Sequence, residues 1–361
     1  MQLSNDQPSR SRFTLLKRFF VFTGLLVIGA GIFVAVLIKQ QFGLNIGHLL
    51  QFATNDFSGL KKISDRTNIL LLGIGGDGHE GGKLTDTMLV LSFNLKTHDQ
   101  FILSLPRDIW IPSLKDRINT AFVYGEEKSP GGGFVLAKSV VEEVTGMPIH
   151  YAALVDFAGF EKMIDIVSGI NVVIDESFTD PEFPIKGKEE DLCNGDLTYS
   201  CRYESITFTK GIEHMNGERA LKYVRSRHAE GDVGTDFSRG KRQQAVLKAL
   251  KAEVLQKETI TDLNKLQQLR DVVNKTITTD IAPPEELLLA KFVIDAKSEV
   301  RTALLTQSLP AENKKGLLIN PPVFNYDGKW VLIPKADDYS LIHQYVSCMV
   351  DNKGKCEELL N

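Results

Sequence analysis

Residues 68–105 read NILLLGIGGDGHEGGKLTDTMLVLSFNLKTHDQFILSL, and their pattern sets the fold class. Asn68–Leu72 is a short apolar run flanked by glycine, the mark of a buried strand. Thr87–Phe93 and Gln100–Leu105 are two further apolar runs. Only Asn94–Asp99 separates them, too short for a crossover, so they form an antiparallel hairpin.

Downstream, Phe134, Ala137, Val140, Val141 and Val144 recur at helical spacing, and Gly146 ends that helix. Asp156 opens a second helix, with Phe157, Phe160, Ile164 and Val167 on one face and Gly169 closing it. Ile170–Ile174 and Ile206–Phe208 read as strands. A helix follows Asp236-Phe237-Ser238, striped by Val246, Leu247, Leu250 and Val254. Thr302–Thr306 and Trp330–Ile333 read as late strands and Asp338–Met349 as a final helix. Helices and strands interspersed in this way predict an α/β fold in which helices cover both faces of a mixed sheet.

The 361 residues hold 42 Lys+Arg against 46 Asp+Glu and are 43% hydrophobic. That excludes wholesale disorder and a multi-span membrane protein. A net charge of −4 argues against general nucleic-acid binding. Phe19–Ile38 runs twenty residues without a charge. At about 1.5 Å per residue that run crosses a hydrocarbon core of roughly 30 Å. Arg10, Arg12, Lys17 and Arg18 precede it, and Ile38-Lys39-Gln40-Gln41 makes a poor cleavage site. The expectation is an uncleaved signal anchor over 19–38, a cytoplasmic tail over 1–18, and an extracytoplasmic remainder. Residues 39–66 read as a stem, 67–346 as one large domain, and 347–361 as a tail with a Cys pair.

Four cysteines, Cys193, Cys201, Cys348 and Cys356, fall in two pairs eight residues apart. In an exported chain they predict the disulfides Cys193–Cys201 and Cys348–Cys356. A zinc site is disfavoured, because there is no CxxC and histidine is sparse nearby.

Three features offer chemistry. Residues 73–82, Gly73 to Gly82, contain a literal GxGxxG, but a strand follows rather than a helix, so the dinucleotide reading fails its context. No Gly-Lys-Ser/Thr is present, which excludes a Walker A. What is left is a loop whose backbone can approach a phosphate closely. The second feature is arginine. Arg107 ends a strand in Pro106-Arg107-Asp108. Arg225 and Arg227 stand two apart and share a face if that segment is extended. Arg239 and Gln243 share one face of a helix N-terminal turn, which itself favours anions. Such a set in an acidic chain suggests a multiply charged phosphate ligand, since the guanidinium fork donates bidentately. The third is carboxylate: Asp86 and Asp77 suit a hard cation such as Mg²⁺ held together with ligand phosphates.

The ordered series NILLLGIGG, LTDTMLVLSF, ILSLPRD, DRINTAF, VDFAGF, NGERALKYVRSRH and DFSRGKRQQ resembles the LytR-CpsA-Psr family of bacterial cell-wall enzymes, strongly over about residues 66–260. The resemblance implies a three-layer α/β/α sandwich with a deep apolar pocket for a prenyl tail. It implies a membrane-anchored, extracytoplasmic phosphotransferase that moves a glycopolymer from a polyprenyl-pyrophosphate carrier to a peptidoglycan hydroxyl, leaving a phosphodiester. Asp86 matches the metal-linked aspartate, Arg107 the PRD arginine, and Arg225 and Arg227 the RxR pair. Arg117, Arg239, Arg242 and Gln243 are implied to bind the pyrophosphate. The family often has a basic residue two positions before the metal aspartate; here Leu84 stands there, with Lys83 beside it. The second metal carboxylate is open among Asp77, His79 and Glu80, and Asp86, Asp77 and Asp108 are open as general base. The helices at 134–144 and 157–167 are expected to help wall the prenyl pocket, its mouth near Arg107. Two alternatives share the site: a pyrophosphohydrolase with water as nucleophile, and a non-catalytic module that only holds the lipid carrier.

Overall fold

The structure, a computed structural model, describes residues 44–76, 82–308, 315–336, 338–352 and 354–360. The expected anchor at 19–38 lies outside these residues, as do Asp77, His79 and Glu80. No helix among the described residues is long and apolar enough to cross a membrane.

The strands are β1 Arg66–Ile74, β2 Thr85–Asn94, β3 Gln100–Ser104, β4 Trp110–Ile111, β5 Asp116–Arg117, β6 Tyr151–Asp156, β7 Ile170–Ile174, β8 Phe178–Pro184, β9 Tyr203–Phe208, β10 Gly211–Met215, β11 Ile277–Thr279, β12 Val300–Leu304, β13 Leu318–Ile319 and β14 Ile333–Pro334. The longer helices are α1 Ile46–Thr54, α2 Ala121–Lys128, α3 Gly132–Thr145, α4 Phe157–Ile166, α5 Gly217–Arg225, α6 Asp236–Val254, α7 Leu263–Thr276, α8 Pro283–Asp295 and α9 Ser340–Asp351.

Residues 44–60 and 282–293 belong to one compact unit, the rest to a second. In the first, the expected stem holds a helix: Asn45 caps α1 by accepting from the His48 amide at 3.0 Å. Phe57 meets Phe292 edge-on at 5.8 Å.

The second unit is a mixed α/β fold. Its six-stranded sheet runs β11-β6-β1-β2-β3-β12. β2 pairs antiparallel with β1 and β3, as the hairpin reading expects, while β6 joins β1 and β12 joins β3 in parallel. Leu70, Leu72, Val90, Phe101 and Leu103 project to one face, where Phe134, Ala137, Val140, Val141 and Val144 of α3 and Ile342 and Val346 of α9 cover them. Ser104 points the other way, and Gln244 of α6 donates to its Oγ at 2.7 Å. Helices therefore lie on both faces of the sheet.

A second core gathers the ribbons β7/β10 and β8/β9 with α4, α5 and α6, around Ile164, Phe178, Phe208, Tyr223 and Val224. INVVI is a strand, as expected, but it pairs with β10 in this ribbon, outside the main sheet.

Other expectations need correction. The segment holding Arg225 is not extended: Asn216 caps α5, which buries Ala220, Leu221, Tyr223 and Val224 and ends at Arg225. The late strand is Val300–Leu304, two residues early, because Val300 pairs with Gln100. Of Trp330–Ile333 only Ile333 is in a strand, while Leu332 bridges Ile109. The boundary at 346 falls inside α9, which Cys348 continues toward its disulfide. Both disulfides form as expected, Cys193–Cys201 and Cys348–Cys356, with Cα atoms 5.5 and 5.6 Å apart.

Candidate active site

The loop after β1 leads to the site. At Gly73 a Cβ would stand only 2.9 Å from Thr87 Cβ, so only glycine lets β1 lie this close to β2 there. The register then slips between Gly73 and Ile74, and the strand end opens beside a cavity of about 340 Å³. Asp86, Arg225, Arg227, Arg239 and Gln243 all line that cavity, from β2, the α5 terminus, the loop beyond it, and α6. Phe157, Phe183, Pro184 and Val224 give it an apolar side; Lys186, Glu189 and His228 line it as well.

Arg107 sits one layer behind. Its Nη1 donates to Asp86 Oδ1 at 2.8 Å, and its Nε lies 3.5 Å from Asp108 Oδ2. Asp108 is nearly fully buried and accepts from Arg117 Nη1 at 3.0 Å. Arg117 thus joins the site through Asp108 and is not among the cavity-lining residues. Asn119 Nδ2 reaches Asp86 Oδ1 at 3.4 Å. From the other side, Arg239 donates to the Asp86 carbonyl at 3.4 Å, and Gln243 donates to Thr87 Oγ1 at 2.9 Å. These contacts dock the first turns of α6 on the start of β2.

Arg242 plays another part. It is buried, donates to the carbonyls of Val233 and Ser226, and lies 5.0 Å from the Phe178 ring centroid. Helical geometry explains this: one residue before Gln243, Arg242 is turned about 100° around the α6 axis, toward the second core. It braces the loop that carries Arg227 and does not line the cavity.

Arg225 is held between two rings, 4.6 Å from Phe157 and 5.4 Å from Phe183. Among the described residues its guanidinium has no hydrogen-bond or ion-pair partner. Burial pulls its pKa down, against the pull of Asp86, Glu161 and Glu189, yet arginine stays a cation at neutral pH. A desolvated cation on a cavity wall is suited to an incoming anion.

Asp180 is a positioning residue that sequence reasoning missed. It is fully buried and accepts from Ser226 Oγ at 2.7 Å, the Arg227 amide at 2.9 Å and the His228 amide at 3.2 Å. Burial pushes its pKa up, but these donors outweigh burial and hold it below the usual carboxylate range. The anion clamps the backbone that follows Arg225. Nothing in FTDPEFP announces this, since the partners lie 46–48 residues away.

Asp86 is the carboxylate available to a magnesium ion. Asp86 Oδ1 is held by Arg107, while Oδ2 has no hydrogen-bond partner among the described residues, and the side chain is 43% exposed. No cluster of three ligating groups surrounds Asp86 there; the one such group is Asp191 with the bonded Cys193 and Cys201. Asp86 fits as a single carboxylate ligand, with ligand phosphates completing the shell. The prenyl-pocket expectation fits less well. Phe157 of α4 lines the cavity, but no residue of α3 does, because α3 packs its apolar stripe solidly into the main core.

Residues 51–329 match the LytR_cpsA_psr family. A Bacillus cereus relative named polyisoprenyl-teichoic acid–peptidoglycan teichoic acid transferase TagU is 26% identical, over 72% of this chain and 76% of that protein. Staphylococcus aureus regulatory protein MsrR is 31% identical, over 64% of this chain and 62% of that protein. The crystal structure of Bacillus subtilis TagV superposes with a TM-score of 0.55 at 23% identity, covering 80% of this chain and 99% of that one, and so supports the fold alone. A cationic cavity beside a mixed α/β sheet is the class of site defined here, and the chain belongs to the LytR_cpsA_psr family.

Proposed function

We propose that the chain is an extracytoplasmic phosphotransferase, anchored by residues 19–38, that moves a glycopolymer from a polyprenyl-pyrophosphate carrier to a peptidoglycan hydroxyl. The observation that supports it best is the desolvated Arg225, on one cavity wall with Arg227, Arg239 and Asp86. Phosphoryl transfer asks chiefly for charge neutralisation and in-line positioning. In this reading Arg225 and Arg227 bind pyrophosphate oxygens, Arg239 and Gln243 fix the wall behind them, and Arg107 orients Asp86. The acceptor oxygen attacks the phosphorus on the sugar side. The bridging P–O bond breaks, prenyl phosphate leaves, and the hydroxyl proton passes to a base. A Mg²⁺ ion on Asp86, when bound, would neutralise pyrophosphate charge. The named activity of the TagU relative is consistent with this reading.

A second reading is a module that holds the lipid carrier without turnover, favoured by the relative named a regulatory protein. Turnover of a polyprenyl-pyrophosphate-linked glycan with Mg²⁺, with and without peptidoglycan, separates them. Transfer only to acceptor supports the proposal. Release to water at the same rate with or without acceptor indicates a pyrophosphohydrolase, and no turnover indicates a binding module.

A further inference from the structure

The cavity lining also includes a short stretch of mixed charge. Pro184, Lys186 and Glu189 line the cavity from the loop that joins β8 to β9, residues 185–202. That loop is tied at both ends. Next to the ribbon, the Ile185 amide donates to the Arg202 carbonyl at 2.8 Å. At the far end Arg202 Nε donates to the Asp191 carbonyl at 2.8 Å, Asp191 Oδ1 accepts from the Cys193 amide at 2.8 Å, and Cys193 is bonded to Cys201. Between them the Lys188 and Asp191 amides bond back to Ile185 and Lys188 at 3.1 Å each. Lys186 and Glu189 therefore stand on a short bracket closed by the disulfide.

We infer that this bracket is the acceptor subsite: Lys186 and Glu189 bind a neutral, hydroxyl-rich sugar chain, and Cys193–Cys201 holds them at the cavity wall. The inference rests on the transferase reading and deepens it. The arginine wall carries a cationic excess and suits the pyrophosphate. Lys186 and Glu189 together carry no net charge, so they are poorly matched to a second anion and well matched to hydroxyls, one donating and one accepting. A sugar held there shares the cavity with Arg225, so that its hydroxyl can approach a phosphorus bound by that guanidinium. Tyr203, paired with Pro184 at the base of the bracket, is 40% exposed.

The test uses the full chain in detergent with a polyprenyl-pyrophosphate-linked glycan and graded peptidoglycan fragments. Lys186→Gln and Glu189→Gln are expected to raise the acceptor KM roughly ten- to hundredfold, the usual effect of losing a charged hydrogen bond, with the donor KM changed far less. Cys193→Ser/Cys201→Ser should raise the acceptor KM in the same direction, whereas Cys348→Ser/Cys356→Ser should not. An acceptor KM unchanged in all three bracket variants, or a donor KM that rises in step with it, overturns the inference while leaving transfer intact. A wild-type chain that transfers nothing overturns the transferase reading and this inference with it.

Discussion

Arg107 Nη1 lies 2.8 Å from Asp86 Oδ1, while the neighbouring carboxylate, Asp108, lies 3.5 Å from Arg107 Nε and keeps a second partner in Arg117. Removing Arg107 therefore frees Asp86 but does not strand the buried Asp108. Arg107→Ala should fold normally and lose transfer by about 10–10²-fold, the scale of removing a partner that orients a ligating group. Arg107→Lys should recover only part, because the fork is lost. Steady-state transfer rates read beside melting curves check this; wild-type transfer by Arg107→Ala would remove Arg107 from the mechanism.

Arg242 should behave in the opposite way. Arg242→Ala leaves the buried Ser226 carbonyl without its donor, a loss of about 1–3 kcal/mol. A urea titration should show a lower midpoint at unchanged slope, and folded Arg242→Ala should retain more transfer activity than Arg225→Ala.

Asp180 gives a pH signature. Its folded pKa lies below the unfolded value, so its contribution to stability is whole above the ordinary carboxylate pKa of about 4 and is lost as pH falls through the lower folded value. Asp180→Asn should flatten that part of the acid stability profile and weaken the protein at neutral pH. A variant whose stability falls with acid as steeply as the wild type would contradict the assignment.

The C-terminal clip should matter for stability. Cys348–Cys356 closes a loop with a separation of 8 residues. Chain entropy assigns such a loop about 2–3 kcal/mol, so Cys348→Ser/Cys356→Ser should lower the urea midpoint accordingly.

Three adjacent strands of the sheet are legible because NILLL, TMLVLSF and QFILSL are apolar runs with turns between them, whereas β6 and β11 carry no such local mark and were not read. The stripe of α3 was equally plain, but a stripe does not say whether it faces a cavity or solid core, and here it faces core. The arginines at 225 and 227 were found by spacing, although the helix that positions Arg225 was not, since GERALKYVR is polar on one face and its Asn216 cap was overlooked. Arg242 shows the limit of motif reasoning. It stands inside the same motif as Arg239 and Gln243, yet its own angle on the helix sends it inward. Asp180 depends on contacts with a distant segment, for which one sequence carries no signal, whereas the Cys193–Cys201 clip of the 185–202 bracket is readable from cysteine spacing.

The central claim is that Arg225, with Arg227, receives the pyrophosphate of a lipid-linked glycan for transfer. The most direct measurement follows phosphorus from a polyprenyl-pyrophosphate-linked glycan, labelled in the sugar-side phosphate, onto peptidoglycan by wild type and Arg225→Ala. The account predicts that wild type moves the label into a phosphodiester and releases one polyprenyl phosphate per transfer, and that folded Arg225→Ala does neither at a measurable rate. Label that stays on the lipid with wild type, or moves equally fast with Arg225→Ala, would contradict it.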